Sequence, residues 1–274
     1  MAGVSGHPDI WRAIDAQPTA AKLADTLELR GRTPAQVRLR RRFLRFVPIR
    51  SGQRVLEIGC GTGVVLRDLL ALVGKRGQVT GLDTSRTMLA RARALARGVS
   101  AGRLQLRHGD GNELPFAASR FDVALAITVI LHVADPQRVV KELVRVTRPG
   151  GRVGLQDQDF GLVAAAHPDR ELTDRILDGV AARIYEEPYS GRRLPALLRE
   201  AGLREVRVLA DVYQDTALTD FSRAFLERRA ENAVRFGIVD APTATRWLDG
   251  FNEYLARGAF VLTMNYFGAV GVKR

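Results

Sequence analysis

An open, doubly wound α/β sheet of seven strands with helices on both faces is the fold class that the sequence predicts. Three observations carry that expectation. Residues 55–63, VLEIGCGTG, run from apolar residues through an acid, Glu57, into glycines at 59, 61 and 63, and a helical pattern opens directly afterwards at Val64. Asp83 stands twenty residues beyond Gly63, at the end of a second apolar run. Strand-length apolar runs then alternate with helical patterns as far as Gly151, the arrangement that builds a parallel sheet.

Length and composition set the frame. With 274 residues, 46% hydrophobic and 26% charged, the chain is long enough to bury a sizeable core and reads as globular. It contains no apolar run near the roughly 20 residues of a membrane span and no apolar signal region at its start, so a cytoplasmic location is expected. The single cysteine, Cys60, cannot close an internal disulfide and agrees with a reducing compartment. A net charge of +12 raises a nucleic-acid reading. Against it, lysine occurs only at 22, 75, 141 and 273, so the charge is almost all arginine, as a GC-rich genome imposes. Those arginines are spread over most helical patterns, apart from Arg38, Arg40, Arg41, Arg42 and Arg45, and are expected to be solvated faces.

The elements follow in order. Gly3, Gly6, Pro8 and Pro18 break up residues 1–20, which are expected to be mobile or loosely docked. Helical patterns cover 19–29 and 34–47, the second with an apolar stripe of Leu39, Phe43, Phe46 and Val47. These residues form an expected N-terminal helical cap, 1–47, on a main domain, 48–274. The first strand spans 54–58; glycines after it permit a tight turn and a close approach of backbone to ligand. The dinucleotide fingerprint would need another glycine at 64, where valine stands, so the spacing counts against NAD. Val65, Leu66, Leu69, Leu70 and Val73 mark the next helix, which Gly74 ends.

A second strand, 78–82, delivers Asp83, which can accept from both ribose hydroxyls or share a helix N-cap with Thr84 and Ser85; the spacing favours the ribose. A helix with Met88, Leu89, Ala92 and Leu95 leads to a third strand, 104–108, and then to the turn Gly109-Asp110-Gly111-Asn112-Glu113-Leu114-Pro115-Phe116. The continuous apolar run 121–127 fits a central strand, followed by Thr128, His132 and Asp135-Pro136, a helix over 136–146 and the turn Arg148-Pro149-Gly150-Gly151. Strand five is expected over 152–156. Asp157 and Asp159 lie beyond its end on one side, able to bind a metal, orient a substrate hydroxyl, act as a base or merely cap. A helix opening at His167-Pro168-Asp169 and running through Ile184, a short helix over 194–201, a strand over 203–213, a long helical stretch over 219–258 and a last strand over 259–272 complete the chain. The stretches of about 160–202 and 217–258 are read as helical insertions, the later one lying before the last strand with an aromatic stripe that is mostly core. Nothing has zinc-ligand spacing, and no metal is expected.

VLEIGCGTG resembles motif I of the class I S-adenosylmethionine-dependent methyltransferases of the ubiquinone/menaquinone-biosynthesis type, and the later segments match that family in order from Val55 to Gly151. The resemblance implies a Rossmann-like sheet whose last strand is antiparallel, a substrate lid in the helical insertion before that strand, and S-adenosylmethionine as cofactor. It implies a methionine-side wall of Glu57, Gly59, Cys60, Gly61 and Gly63, a ribose contact from Asp83, adenine contacts from Asp110, Gly111 and Asn112, and the amino-acid end near Ile127 and Thr128, with Thr84, Met88 and His132 also among the implied cofactor contacts. The family often has paired histidines before V-x-D-P; here Leu131 takes one position and only His132 remains. The implied activity is methyl transfer by in-line displacement to a small metabolite or natural product, with His132 and Asp157 as the catalytic candidates and His167 and Tyr185 behind them. An RNA or protein methyltransferase using the basic surface, and a non-catalytic cofactor-binding protein, stand as alternatives. A homodimer is compatible with the reading, and nucleic acid is not an expected partner.

Overall fold

The computed structural model describes residues 9–98 and 103–274. Seven strands form one sheet: β1 (Arg54–Ile58), β2 (Gln78–Asp83), β3 (Arg103–His108), β4 (Phe121–Ile127), β5 (Thr147–Ala165), β6 (Arg204–Asp215) and β7 (Leu262–Val272). Their order is β3-β2-β1-β4-β5-β7-β6. The first five pair in parallel, whereas β7 runs antiparallel between β5 and β6. The chain reverses its direction of travel across the sheet between β1 and β4, which opens a crevice at the C-terminal ends of those two strands.

Alternation along each strand sends side chains to two separate cores. Leu56, Ile58, Ala124 and Ala126 pack with Val139, Val140, Leu143 and Val146 of α5 (Pro136–Val146) and with Leu194, Leu197 and Leu198 of the helix Ser190–Glu200. Val55, Val123 and Leu125 face the other way, onto Phe43 and Leu44 of α2 (Pro34–Phe46), Leu66, Leu69 and Leu70 of α3 (Val64–Val73) and Leu89 of α4 (Arg86–Leu95). Each fully buried valine, leucine, isoleucine or phenylalanine among them stabilises the fold by roughly 1.5–3 kcal/mol relative to exposure. A third core joins Ile176, Leu177 and Val180 of α6 (Arg170–Ile184), Leu226 and Ala230 of α8 (Asp220–Arg235), and Trp247 and Phe251 of α9 (Ala241–Ala256). The expected helical stretch 219–258 is therefore two helices, broken at Gly237, whose φ of +66° a side chain tolerates poorly.

Two expectations are corrected. Strand five does not end at Gln156: β5 continues to Ala165, because β7 offers it a ladder in which Asp157 opposes Phe267 and Asp159 opposes Asn265. After an irregularity between Asp159 and Val163, pairing resumes with Met264, so the first part of the supposed insertion 160–202 is strand. The N-terminal start is not loosely docked from Asp9 onward. Its 3-10 turns, Ile10–Ala16, place Asp15 at the N-terminus of α4, where its carboxylate accepts from Ser85 Oγ (2.6 Å), Arg86 N (2.7 Å) and Thr87 N (3.2 Å). Residues 1–8 lie outside the described residues.

The N-terminal helices cover the crevice. On α1 (Ala20–Arg32), Glu28 accepts from Thr62 Oγ1 in the glycine turn (2.6 Å) and from Arg67 Nη2 on α3 (2.8 Å), pinning the cap to the loop beneath it. Within the arginine cluster Arg40 is half-buried against Asp68, whereas Arg42 pairs with Asp211 and stays exposed, as do Arg38, Arg41 and Arg45. Among the described residues no helix is long and apolar enough to cross a membrane.

Candidate active site

A cavity of about 460 Å³ occupies the crevice, within the 300–1,000 Å³ usual for cofactor and small-molecule sites. Its floor is the ends of the central strands. After β1, Gly59 and Gly61 line it at φ of +59° and +52°, and a Cβ on Gly59 would meet Val129 Cγ2 at 2.5 Å. Glycine is required there both by conformation and by space. Gly63 (φ +78°) turns the chain into α3 without lining the cavity.

At the end of β2, Asp83 lines the cavity with its carboxylate held between two backbone amides, Gly61 N on Oδ2 (2.7 Å) and Ser85 N on Oδ1 (2.8 Å). Ser85, not Asp83, caps α4, since its Oγ accepts from Met88 N. Each Asp83 oxygen keeps acceptor capacity beyond its amide. Burial raises the Asp83 pKa, and the two amides oppose that shift. Beyond β3, Asp110, Gly111 and Asn112 also line the cavity, with Asp110 Oδ1 accepting from the backbone amide of Asn112 (2.8 Å) and from its side chain (2.9 Å).

Beyond β4 the chain bends sharply. Thr128 adopts φ +55°, uncommon for a non-glycine residue, and donates its amide to Gln156 O at 2.7 Å. The bend feeds the 3-10 turn Ile130–His132, which puts Leu131 and His132 on the cavity. His132 Nδ1 lies 2.5 Å from Asp9 Oδ2, a carboxylate with a fully buried side chain, and its ring meets the edge of Tyr185 at 5.6 Å between centroids. Tyr185 in turn stacks on Phe160 at 4.4 Å. These rings, with Phe221 and Phe225 of α8, wall the end of the cavity away from the glycines.

Comparison with known proteins settles the lineage. A methyltransferase-domain family model matches residues 56–155, the span from β1 into β5. An O-methyltransferase of Penicillium expansum, cnsE, is 30% identical over 210 residues, covering 76% of this chain and 68% of that protein. The chain belongs to the class I S-adenosylmethionine-dependent methyltransferases. The 27-O-demethylrifamycin SV methyltransferase of Amycolatopsis mediterranei (strain S699) is 34% identical over 186 residues, 66% of this chain and 65% of that one. Among solved structures, Haemonchus contortus phosphoethanolamine N-methyltransferase 2, in complex with phosphomonomethylethanolamine and S-adenosylhomocysteine, shares the fold with a TM-score of 0.63 at 19% identity, over 96% of this chain and 60% of that one. The chain spans 63%, 64% and 65% of the length of three curated relatives that it matches.

The residues of this chain fit the family's cofactor, S-adenosylmethionine. The glycine turn leaves room where a Cβ would intrude, Asp83 presents a buried acceptor, and Asp110 to Asn112 form a polar notch on the same wall. Five other residues singled out for cofactor contact stand behind that wall and do not line it: Glu57, Cys60, Gly63, Met88 and Ile127. Glu57 is buried on β1 with Oε2 unpartnered among the described residues, and burial together with the Asp83 carboxylate pushes its pKa well above the usual carboxylate range. Cys60 packs under Gly81, its thiol pKa pushed up by burial. Met88 packs with Ile14, Leu23 and Ala24 of the cap.

The catalytic candidates separate clearly. His132 and Tyr185 line the cavity. Asp157 does not: fully buried, it accepts from Leu131 N (3.0 Å) and Ser190 Oγ (3.0 Å), so it holds the turn that carries His132. Burial pushes its pKa up to about 7, against those hydrogen bonds. Asp159 forms a bidentate pair with Arg192, at 2.5 and 2.8 Å, and the two acids therefore serve separate partners. His167 lies elsewhere, between Trp247 O (2.9 Å) and the Phe251 ring, beside a second, polar pocket. Sequence reasoning missed Asp9, Arg30, Gln158 and Arg229. Asp9 lay in a stretch read as a loose start, and the two arginines looked like solvated helix charge.

Proposed function

We propose that this chain transfers a methyl group from S-adenosylmethionine to a hydroxyl of a small, partly apolar acceptor. The reading rests on one observation: a single cavity runs from the glycine turn and Asp83 to an aromatic wall, with His132 lining it along the way. Its relatives support an oxygen acceptor, since one is named an O-methyltransferase and another a 27-O-demethylrifamycin SV methyltransferase. In this reading residues 9–47 act as a cap over a domain that begins at Pro48, and a buried free thiol at Cys60 accords with a cytoplasmic location.

Asp83 would hold the ribose, Asp110 to Asn112 the adenine, and Gly59, Gly61 and Thr128 the amino-acid end. When bound, the cofactor supplies a sulfonium-activated methyl group, so the protein contributes mainly position and exclusion of water. With Nδ1 directed at Asp9, His132 keeps Nε2 for the acceptor hydroxyl and takes its proton as the oxygen becomes bonded to carbon. Leu27 and Arg30 of α1 and Phe221 and Phe225 of α8 shield the site from solvent.

Calorimetric titration with S-adenosylmethionine and S-adenosylhomocysteine, followed by an assay for S-adenosylhomocysteine release against a panel of hydroxylated metabolites, tests the proposal. Binding in the micromolar range with release on at least one acceptor is expected. No binding at tens of micromolar would sink it.

A further inference from the structure

Arg228 and Arg229 of α8 both line the acceptor end of the cavity, and Arg229 is the unusual one. It is 3% exposed, and its guanidinium carbon lies 4.8 Å from the ring centroids of Phe160 and Phe225 and 5.5 Å from that of Tyr185. Nη1 has no hydrogen-bond partner among the described residues, and Nη2 reaches only the Tyr185 hydroxyl, at 3.5 Å. The charge of the neighbouring Arg228 repels it. Every acid that lines the cavity, Asp83, Asp110 and Asp135, belongs to the edge formed by the ends of β2, β3 and β4.

Among the described residues no carboxylate forms a salt bridge with this guanidinium; an unpaired buried cation is costly, and cation–π contact with three rings offsets only part of that cost. An isolated structural role would be met more cheaply by an apolar side chain. What the cage leaves is a donor on the cavity wall, matched in geometry to a carboxylate.

We propose that Arg229 anchors a carboxylate on the acceptor, and that the acceptor is a hydroxylated, largely apolar carboxylic acid; this rests on the methyl-transfer reading above. His132 and Arg229 both pack on the same Tyr185 ring, at 5.6 Å between ring centroids and at 5.5 Å from guanidinium carbon to centroid. An acceptor of about one aromatic ring in length therefore spans the two, with its hydroxyl at His132 and its carboxylate at Arg229. Leu131, Ile184 and Phe225 line the cavity to receive the apolar body between them.

The test compares 3-(4-hydroxyphenyl)propanoate with its carboxamide, titrated calorimetrically into the protein with and without S-adenosylhomocysteine. The acid is expected to bind about tenfold to hundredfold more tightly than the amide. Arg229→Met, which keeps the apolar stem, is expected to erase that preference, and Arg229→Lys to retain part of it. Equal affinity of acid and amide for the wild-type protein overturns the anchor, as does a preference that survives Arg229→Met or an acid that fails to bind at millimolar concentration. The wild-type comparison needs no variant, so it decides the anchor even where a variant does not fold. Failure of S-adenosylhomocysteine to bind strikes the methyl-transfer reading instead, and the titration without it still discriminates acid from amide.

Discussion

Asp9 and His132, 123 positions apart in sequence, meet at 2.5 Å between Oδ2 and Nδ1. Asp9 is the N-cap of the first 3-10 turn, its Oδ1 accepting from Trp11 N, so the segment that covers the cavity also sets the orientation of the imidazole. A base fixed in this way loses little freedom when the acceptor arrives. His132→Ala is expected to lower the methyl-transfer rate by about 10²–10⁴ while S-adenosylhomocysteine binds as before. Asp9→Asn, which keeps the shape and removes the charge, should cost on the order of tenfold in kcat with little change in KM. Unchanged rates in both variants would remove His132 from the chemistry.

Asp83 is the cofactor contact that geometry supports best, because its neighbours use one acceptor site on each oxygen and leave the others facing a cavity. Asp83→Ala should weaken S-adenosylhomocysteine binding by roughly tenfold to hundredfold, the value of charge-assisted hydrogen bonds. Asp83→Asn, which still accepts from a backbone amide, controls for damage to the Gly61 turn. Equal affinity in wild type and both variants, read by calorimetry alongside an unchanged circular dichroism spectrum, would contradict the ribose role.

Glu28 couples cap to loop. Its carboxylate is buried against Thr62 and Arg67, and removing it leaves the Thr62 hydroxyl and Arg67 Nη2 without that acceptor, while Arg67 Nη1 keeps Thr62 O. Since Arg67 remains a quarter exposed, Glu28→Ala should cost on the order of 2–3 kcal/mol, at the lower end for broken buried pairs. The midpoint of thermal unfolding would fall by roughly 4–10 °C. The same variant should bind S-adenosylhomocysteine more weakly, because the glycine turn loses its clamp. A stability loss with intact affinity would confine Glu28 to packing.

The parts of this molecule that were legible in its sequence are the local ones. The glycine turn, Asp83 and the polar notch at Asp110 are each declared by residues within a few positions of one another, and β1 to β4 follow from apolar runs bounded by breakers. What was hidden depends on chain brought in from far away. Asp157, Gln158 and Asp159 read as the polar end of a strand, yet Ser190 and Arg192 from the following helix and Tyr266 from β7 supply their partners and let β5 run on. Arg229 reads as a solvated charge on an amphipathic helix, and only the meeting of α8 with Phe160 and Tyr185 buries it. No periodicity signals a contact of that kind.

Asp157 makes the stability of this chain depend on pH in a direction that can be worked out. Its pKa is pushed up to about 7 in the folded protein, chiefly by burial, against an ordinary value of 3.8. Between those values the folded chain holds a proton that the unfolded chain has lost, so stability from this group is fully present below about pH 4 and is lost as pH rises through about 7. In Asp157→Asn the amide oxygen still accepts from Leu131 N, and nothing titrates at the site. The wild-type melting temperature, relative to that of Asp157→Asn, is therefore expected to fall between about pH 4 and pH 7 and to level off above that. A difference that stays constant across the interval would show that Asp157 is ionised throughout. The turn carrying His132 would then rest on a buried carboxylate rather than on a carboxylic acid near its titration point.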